Sequence, residues 1–150
     1  MPLWLIFHPP TTFTSSASKK ALSDDITKFY TAIGLPAFYV VVNFIALSNG
    51  TSFVGGEVPT TPFIRIVINH VAVHVPNQDE AYRDATTRID EVLRPHVKDR
   101  GYEWEYHVDE TERRLWKVNG LVAPPFGSEV EKIWVRENRT VEWEGSGTQK

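Results

Sequence analysis

The chain of 150 residues contains no cysteine, which excludes a disulfide framework, a thiolate metal site and a cysteine nucleophile, so the fold must rest on packing. It has no long apolar run either. The amino end, MPLWLIFHPP, is only briefly apolar, carries no basic flank and is cut short by Pro9 and Pro10. A signal peptide or membrane span is therefore not expected, and the cytosol is the expected location. Excess charge is small, at −3 with a pI near 5.9, which leaves no basic field for nucleic acid or an anionic membrane. A small polar molecule or another protein is the expected partner. There is no phosphate-cradling glycine motif, no His-Glu-x-x-His and no Gly-x-Ser-x-Gly, so ATPase, zincin and serine hydrolase readings fall away. Asn49-Gly50-Thr51 and Asn138-Arg139-Thr140 match the glycosylation triplet, but without a secretory signal both read as chance.

What is present is enough for one core. A hydrophobic content of 41% and a charged content of 23% are those of an ordinary globular chain, and residues 1–150 are read as a single domain. Leu3-Trp4-Leu5-Ile6-Phe7 is apolar on both faces and predicts a buried strand over 2–8. From an N-cap at Ser15 or Ser16, the spacing of Leu22, Ile26, Phe29 and Ile33 predicts an amphipathic helix that Gly34 and Pro36 stop. A β-branched and aromatic run predicts a strand over 38–45. A Gly-, Ser-, Thr- and Pro-rich loop holding a short hairpin is expected over 46–62, and a third strand over 63–70. A second helix is expected from near Asn77 to Arg94, burying Ala81, Ala85, Ile89, Val92 and Leu93 and loosening at Pro95 before Gly101 closes it. Residues 102–108 then alternate as a strand. Beyond them, Asp109 or Thr111 is placed to cap a helical turn through Leu115-Trp116. A Pro-rich loop is expected over 120–127, a short helix or strand near 130–135, and a frayed tail over 144–150.

Residues 2–45 and 63–108 share the order strand, helix, strand, which reads as an internal duplication. Two right-handed βαβ units joined edge to edge give an α+β fold: a four-stranded mixed sheet with both helices on one face, plus a short hairpin and a C-terminal extension. The other face needs a cover, which predicts an oligomer, with a homotrimer hiding it well.

The start Met1-Pro2, the tract Asp25-Ile26-Thr27-Lys28-Phe29-Tyr30, the strand Val40-Val41-Val42-Asn43-Phe44, Phe53-Val54-Gly55-Gly56 and Trp104-Glu105-Tyr106 resemble, in order, the cis-3-chloroacrylic acid dehalogenase branch of the tautomerase superfamily. The chain is similar as well to fungal oxalocrotonate tautomerase-like proteins, through Gly-Leu-Pro-Ala-Phe-Tyr-Val-Val-Val-Asn-Phe and Trp-Lys-Val-Asn-Gly-Leu-Val. The resemblance implies a tautomerase/MIF-like fold, no cofactor and no metal, and a small carbonyl or carboxylate substrate. It also implies a catalytic amino-terminal proline, here Pro2 after removal of Met1. A secondary amine buried beside Trp4 and Phe38 would have its pKa lowered toward neutrality, where a general base works best.

In the dehalogenase the proline is helped by a histidine, an arginine pair, a tyrosine and a water-activating glutamate. Tyr106 preserves the tyrosine and Tyr30 stands in the histidine's place. The arginines fall near Val71 and His74, and the glutamate near Lys117 or Val118. Hydrolytic dehalogenation is therefore not expected. Proton transfer is: keto–enol tautomerisation, or hydration by conjugate addition, on a small 2-oxo or unsaturated acid. Pro2, Tyr106 and Tyr30 are the candidate catalytic residues. His74, His70, Arg65, Arg113, Arg114 and Lys117 are the candidate substrate-binding residues. Each also has a plain structural explanation: a half-buried tyrosine, an ion pair for Arg65, or pairing of Arg113 and Arg114 with Glu110 or Glu112. His70 and His74, four apart across a strand end, suit ligand binding better than metal coordination. Asn43 and Asn119 are further hydrogen-bonders. A non-catalytic, repurposed member of the fold is the alternative.

Overall fold

In the computed structural model, which describes residues 1–147, β1 (Leu3–His8) lies inside a four-stranded sheet. Its neighbours are β2 (Val41–Ala46), parallel to it, and β3 (Phe63–His70), antiparallel; β4 (Glu103–Glu110) completes the sheet parallel to β3. The order β2-β1-β3-β4 is that of two βαβ units joined along β1 and β3. Each parallel pair is bridged by a helix, α1 (Ser16–Thr31) and α2 (Asp79–Leu93). Strand alternation sends Trp4 and Ile6 of β1 and Ile64, Ile66 and Ile68 of β3 into the core with Leu22, Ile26, Ile89 and Leu93 of the helices. Each such buried side chain contributes about 1.5–3 kcal/mol. The opposite parity, Leu3, Leu5, Val67 and Phe63, is half-buried on the other face.

Ser15 caps α1 by accepting from the Ser18 amide at 3.1 Å. The helix ends at Thr31, before the Gly34 stop that the spacing predicts, so Ile33 is 38% exposed and Tyr30 takes the core position instead. The second strand is shorter than expected. Ala37–Tyr39 forms a 3-10 turn behind Pro36, and pairing begins at Val41, whose amide donates to the Pro2 carbonyl at 3.0 Å. In the 46–62 loop, the expected hairpin is a single bridge between Val54 and Glu57 around Gly55 and Gly56, both at positive φ.

Past β4 the structure departs from the sequence reading. Glu112, rather than Asp109 or Thr111, caps a 3-10 turn, Arg113–Leu115, because its side chain accepts from the Arg114 amide. A hairpin follows, β5 (Lys117–Val118) and β6 (Leu121–Val122), turning on Asn119 and Gly120, both left-handed. Asn119 is thus a turn residue that also donates to Thr140 Oγ1 at 3.3 Å. Helix α3 (Glu129–Glu137) anchors through the buried Trp134, whose ring packs on Phe38 and Tyr39. The chain after it does not fray over 144–147. Ser146 is buried, its carbonyl accepts from the Val122 amide at 2.8 Å, and Trp143 Nε1 donates to the Val122 carbonyl at 3.0 Å. The rest of the expected frayed tail, 148–150, lies outside the described residues. Among the described residues no helix is long and apolar enough to cross a membrane.

Trp134 joins α3 to the rest of the core, so Trp134→Ala is expected to cost about 3–5 kcal/mol. The check is a lowered urea midpoint with an unchanged slope.

Candidate active site

Pro2 immediately precedes β1, where its missing N–H removes no ladder bond. It shares parity with Trp4 and Ile6, is buried, and forms part of the wall of a cavity of about 300 Å³. The other walls come from the end of α1 (Phe29, Tyr30), the segment leaving β3 (70–76) and one side of α2 (Ala81, Asp84, Ala85, Arg88).

Tyr30 and His70 meet in this cavity. Trp4 Nε1 donates to the Tyr30 hydroxyl at 3.0 Å, and that hydroxyl lies 2.7 Å from His70 Nε2. With the indole as donor, the hydroxyl proton is free to point at Nε2 of a neutral imidazole. Burial favours that state: it pushes the His70 pKa below 6.5 and the Tyr30 pKa up, so both groups are neutral at pH 7. His74 lines the same cavity and is held from outside by Glu110, whose carboxylate accepts from the Val75 amide at 2.6 Å and lies 3.3 Å from His74 Nδ1.

The other candidates are placed elsewhere. Tyr106 lies on the helix-facing side of β4, outside this cavity. Its hydroxyl is 3.0 Å from Asp90 Oδ1 and 3.1 Å from the Thr86 carbonyl, and burial with the Asp90 hydrogen bond raises its pKa. Arg65 projects from the other face of the sheet, 2.5 Å from His107 Nδ1 and 3.4 Å from Glu105, the structural pairing weighed for it. Arg114 pairs with Glu112 at 3.0 Å in solvent. Lys117 is exposed on the β5–β6 hairpin. Arg113 pairs with neither Glu110 nor Glu112. Its guanidinium donates to the carbonyls of Ala72, Ala123 and Pro124 and lies over the Trp116 ring, close enough to the amino terminus to act on it. The Met1 amine is half-buried, and its pKa falls from 8.0 to about 4 through burial first and the Arg113 charge second, with Glu131 opposing.

Sequence reasoning missed Arg88 and Glu110. Arg88 lies four residues after Asp84 and three after Ala85, beside the apolar stripe of α2. The helical spacing that located the stripe carried the only signal for it. Glu110 had none, since its partners lie far away in sequence. Among the described residues, no group of three His, Cys, Asp or Glu side chains is placed to hold a metal.

Residues 1–139 match the family model described as "Putative oxalocrotonate tautomerase enzyme". Among solved structures, the chain is similar to RhCC from Rhodococcus jostii, at 40% identity over 94% of this chain and 99% of that one, with a TM-score of 0.88. It is also similar to a protein of the thermophilic fungus Aspergillus fumigatus described as a probable enzyme, at 47% identity over 95% and 98% of the two chains and a TM-score of 0.86. A fused 4-OT solved as an asymmetric trimer shares the fold at 15% identity, over 80% of this chain and 94% of that one, with a TM-score of 0.61. No curated protein matches the chain.

Because the folded state holds His70 neutral while the unfolded chain protonates it near 6.5, its contribution to stability is complete above that pH and is lost as pH falls toward the lowered value. The difference in unfolding free energy between the protein and a His70→Gln variant is expected to change over that window and to be flat above it. The His70 ring resonances are expected to titrate below 6.5.

Proposed function

Because this chain belongs to the oxalocrotonate tautomerase family, we propose that it is a tautomerase that works, once Met1 is removed, with the secondary amine of Pro2 as its acid–base group. The observation that carries this reading is the position of Pro2, buried in the wall of the cavity beside the Tyr30–His70 pair. Burial and the Arg113 charge, which hold the Met1 amine at about 4, would act on the Pro2 nitrogen one residue on, so that it is unprotonated at pH 7 and able to accept a proton.

The substrate class is a small 2-oxo acid and its enol. The Pro2 nitrogen takes the enol O–H proton, the electron pair passes through the double bond, and the resulting ammonium returns a proton to the neighbouring carbon, leaving the ketone and a neutral amine. Tyr30 stays protonated throughout: when substrate binds, its one proton turns from His70 to the oxygen that gains charge, and neutral His70, as its Nε2–H tautomer, donates to the Tyr30 oxygen in its place. Arg88 and His74 flank the cavity and receive the carboxylate. They stand in for the arginine pair that the dehalogenase branch carries. In this reading Tyr106 would touch substrate only across a subunit boundary. We further infer a homotrimer assembled on the half-buried face of Leu3, Leu5 and Val67, and a cytosolic location. The same amine, in its protonated form, suits hydration of an unsaturated acid as a second reaction.

One observation favours a second reading. Met1 packs against the core, and while it stays Pro2 is an amide with no basic nitrogen. A retained Met1 makes the protein a binding member of the fold. Intact-mass spectrometry of protein from its own host separates the two, and loss of Met1 is the expected result.

Pro2→Ala is expected to slow ketonisation of phenylenolpyruvate by about 10²–10⁴-fold, the usual worth of a general acid–base group. Equal rates with and without Pro2 would sink the reading. Tyr30→Phe is expected to lower kcat about 10²-fold or more, as loss of an oxyanion donor does, and Tyr106→Phe far less, since its hydroxyl is spent on Asp90 and Thr86.

A further inference from the structure

Most of the wall of the Pro2 cavity is apolar. The end of α1 and the turn after it contribute Phe29, Ile33 and Leu35, the segment leaving β3 contributes Val71 and Val73, and α2 contributes Ala85. Ile33 lies past the last residue of α1 and keeps 38% of its surface exposed. A large apolar side chain left in water at the rim of a cavity is one that a ligand can cover.

Charge in the wall is sparse by contrast. Among the described residues that line the cavity, only Asp84 and Arg88 carry a fixed charge. They stand one turn apart on α2, where residues four apart share a face and an acid ahead of a base ordinarily pairs with it. Here they do not pair, and neither side chain has a hydrogen bond or ion pair to any other described residue. Arg88 also borders a groove between α1 and α2, whereas Asp84 borders the cavity and not that groove. The cavity thus presents one unspent cation and one unspent anion.

A substrate with one carboxylate uses the cation. Once Arg88 is met, a second carboxylate on the same molecule finds no other fixed cation in the wall. It would leave water for apolar surface, at a cost that only pairing offsets, and would do so in the field of Asp84. An apolar substituent in the same place covers Phe29 and Ile33 and needs no partner.

We propose that the cavity takes 2-oxo monocarboxylic acids bearing an apolar substituent, and that Asp84 is the residue that turns diacids away. The inference rests on the reading above, in which Arg88 receives the substrate carboxylate, and narrows it. It also separates this chain from the substrate in its family's description, since oxalocrotonate is a six-carbon diacid. Selection of this kind works through a repulsive element built against the wrong ligand, beside the attractive one shared by both.

The test is calorimetric titration of Met1-free protein at pH 7 with hexanoate and hexanedioate, unreactive acids of oxalocrotonate's length that differ in the second carboxylate. Hexanoate is expected to bind about tenfold more tightly, as for one carboxylate held near a like charge with no cation in reach. Asp84→Lys supplies a second cation and should reverse the preference; Asp84→Asn removes only the like charge and should narrow it. Position 84 is exposed on α2, so both variants are expected to fold. Arg88→Gln should weaken both acids. Hexanedioate binding as tightly as hexanoate to the unmodified protein, a preference left unchanged by either Asp84 variant, or hexanoate binding untouched by Arg88→Gln would each overturn the inference. Pro2→Ala, which also allows Met1 removal, separates the two claims: normal ketonisation by that variant would overturn the tautomerase reading, while the ranking of the two acids, which needs no reaction, would stand.

Discussion

The molecule depends on β1 being flanked on both sides, parallel to β2 and antiparallel to β3. The pairing begins one residue ahead of the strand, at the Pro2 carbonyl, which accepts from the Val41 amide, and Pro2 is buried. The amino terminus is thereby drawn out of water, where a charged amine is penalised and an uncharged one favoured. The arrangement of α1, the β3 exit and α2 around that point follows from the two crossovers, which bring Tyr30, His70 and Arg88 to the same end of the sheet.

Much of this was legible from residue order alone. Apolar runs, β-branched density and, in β4, alternation located all four sheet strands, the 3.6-residue spacing located both crossover helices, and the repeat of the order strand, helix, strand implied the mixed sheet. Misjudged boundaries have local causes. Phe38 and Tyr39 look like strand residues by composition, but Pro36 favours a turn and the two rings pack against Trp134 of α3. Lys117 to Val122 is short, and its pairing is set by an Asn-Gly turn at the leading edge of the loop expected over 120–127. Ser146 is buried because Val122 needs an acceptor and Trp143 reaches back to the hairpin, contacts between segments some twenty residues apart that no local pattern displays.

The site was legible in part. Pro2, Tyr30, His70 and His74 line one cavity, because they fall at strand and helix ends that the residue pattern could locate. Arg65 and Tyr106 are not, because strand parity and a helix neighbour decide where they point, and one faces the far side of the sheet while the other bonds to α2. Glu131 was invisible. In sequence it is an acidic residue in the first turn of a helix, the ordinary place for one; in the structure it is buried, and among the described residues its Oε1 has no hydrogen-bond partner.

Strand alternation has a final consequence at the amino end. Pro2 faces the helices because it stands an even number of residues from Trp4 and Ile6, and a shift of one residue along β1 would carry it to the opposite side of the sheet. The placement of Pro2 is thus set by parity. Residues 3 and 5 can change identity so long as they stay apolar, but a single insertion or deletion between Pro2 and Trp4 turns Pro2 away from the cavity wall while leaving its other walls as they are. Length at this terminus is therefore under tighter constraint than composition.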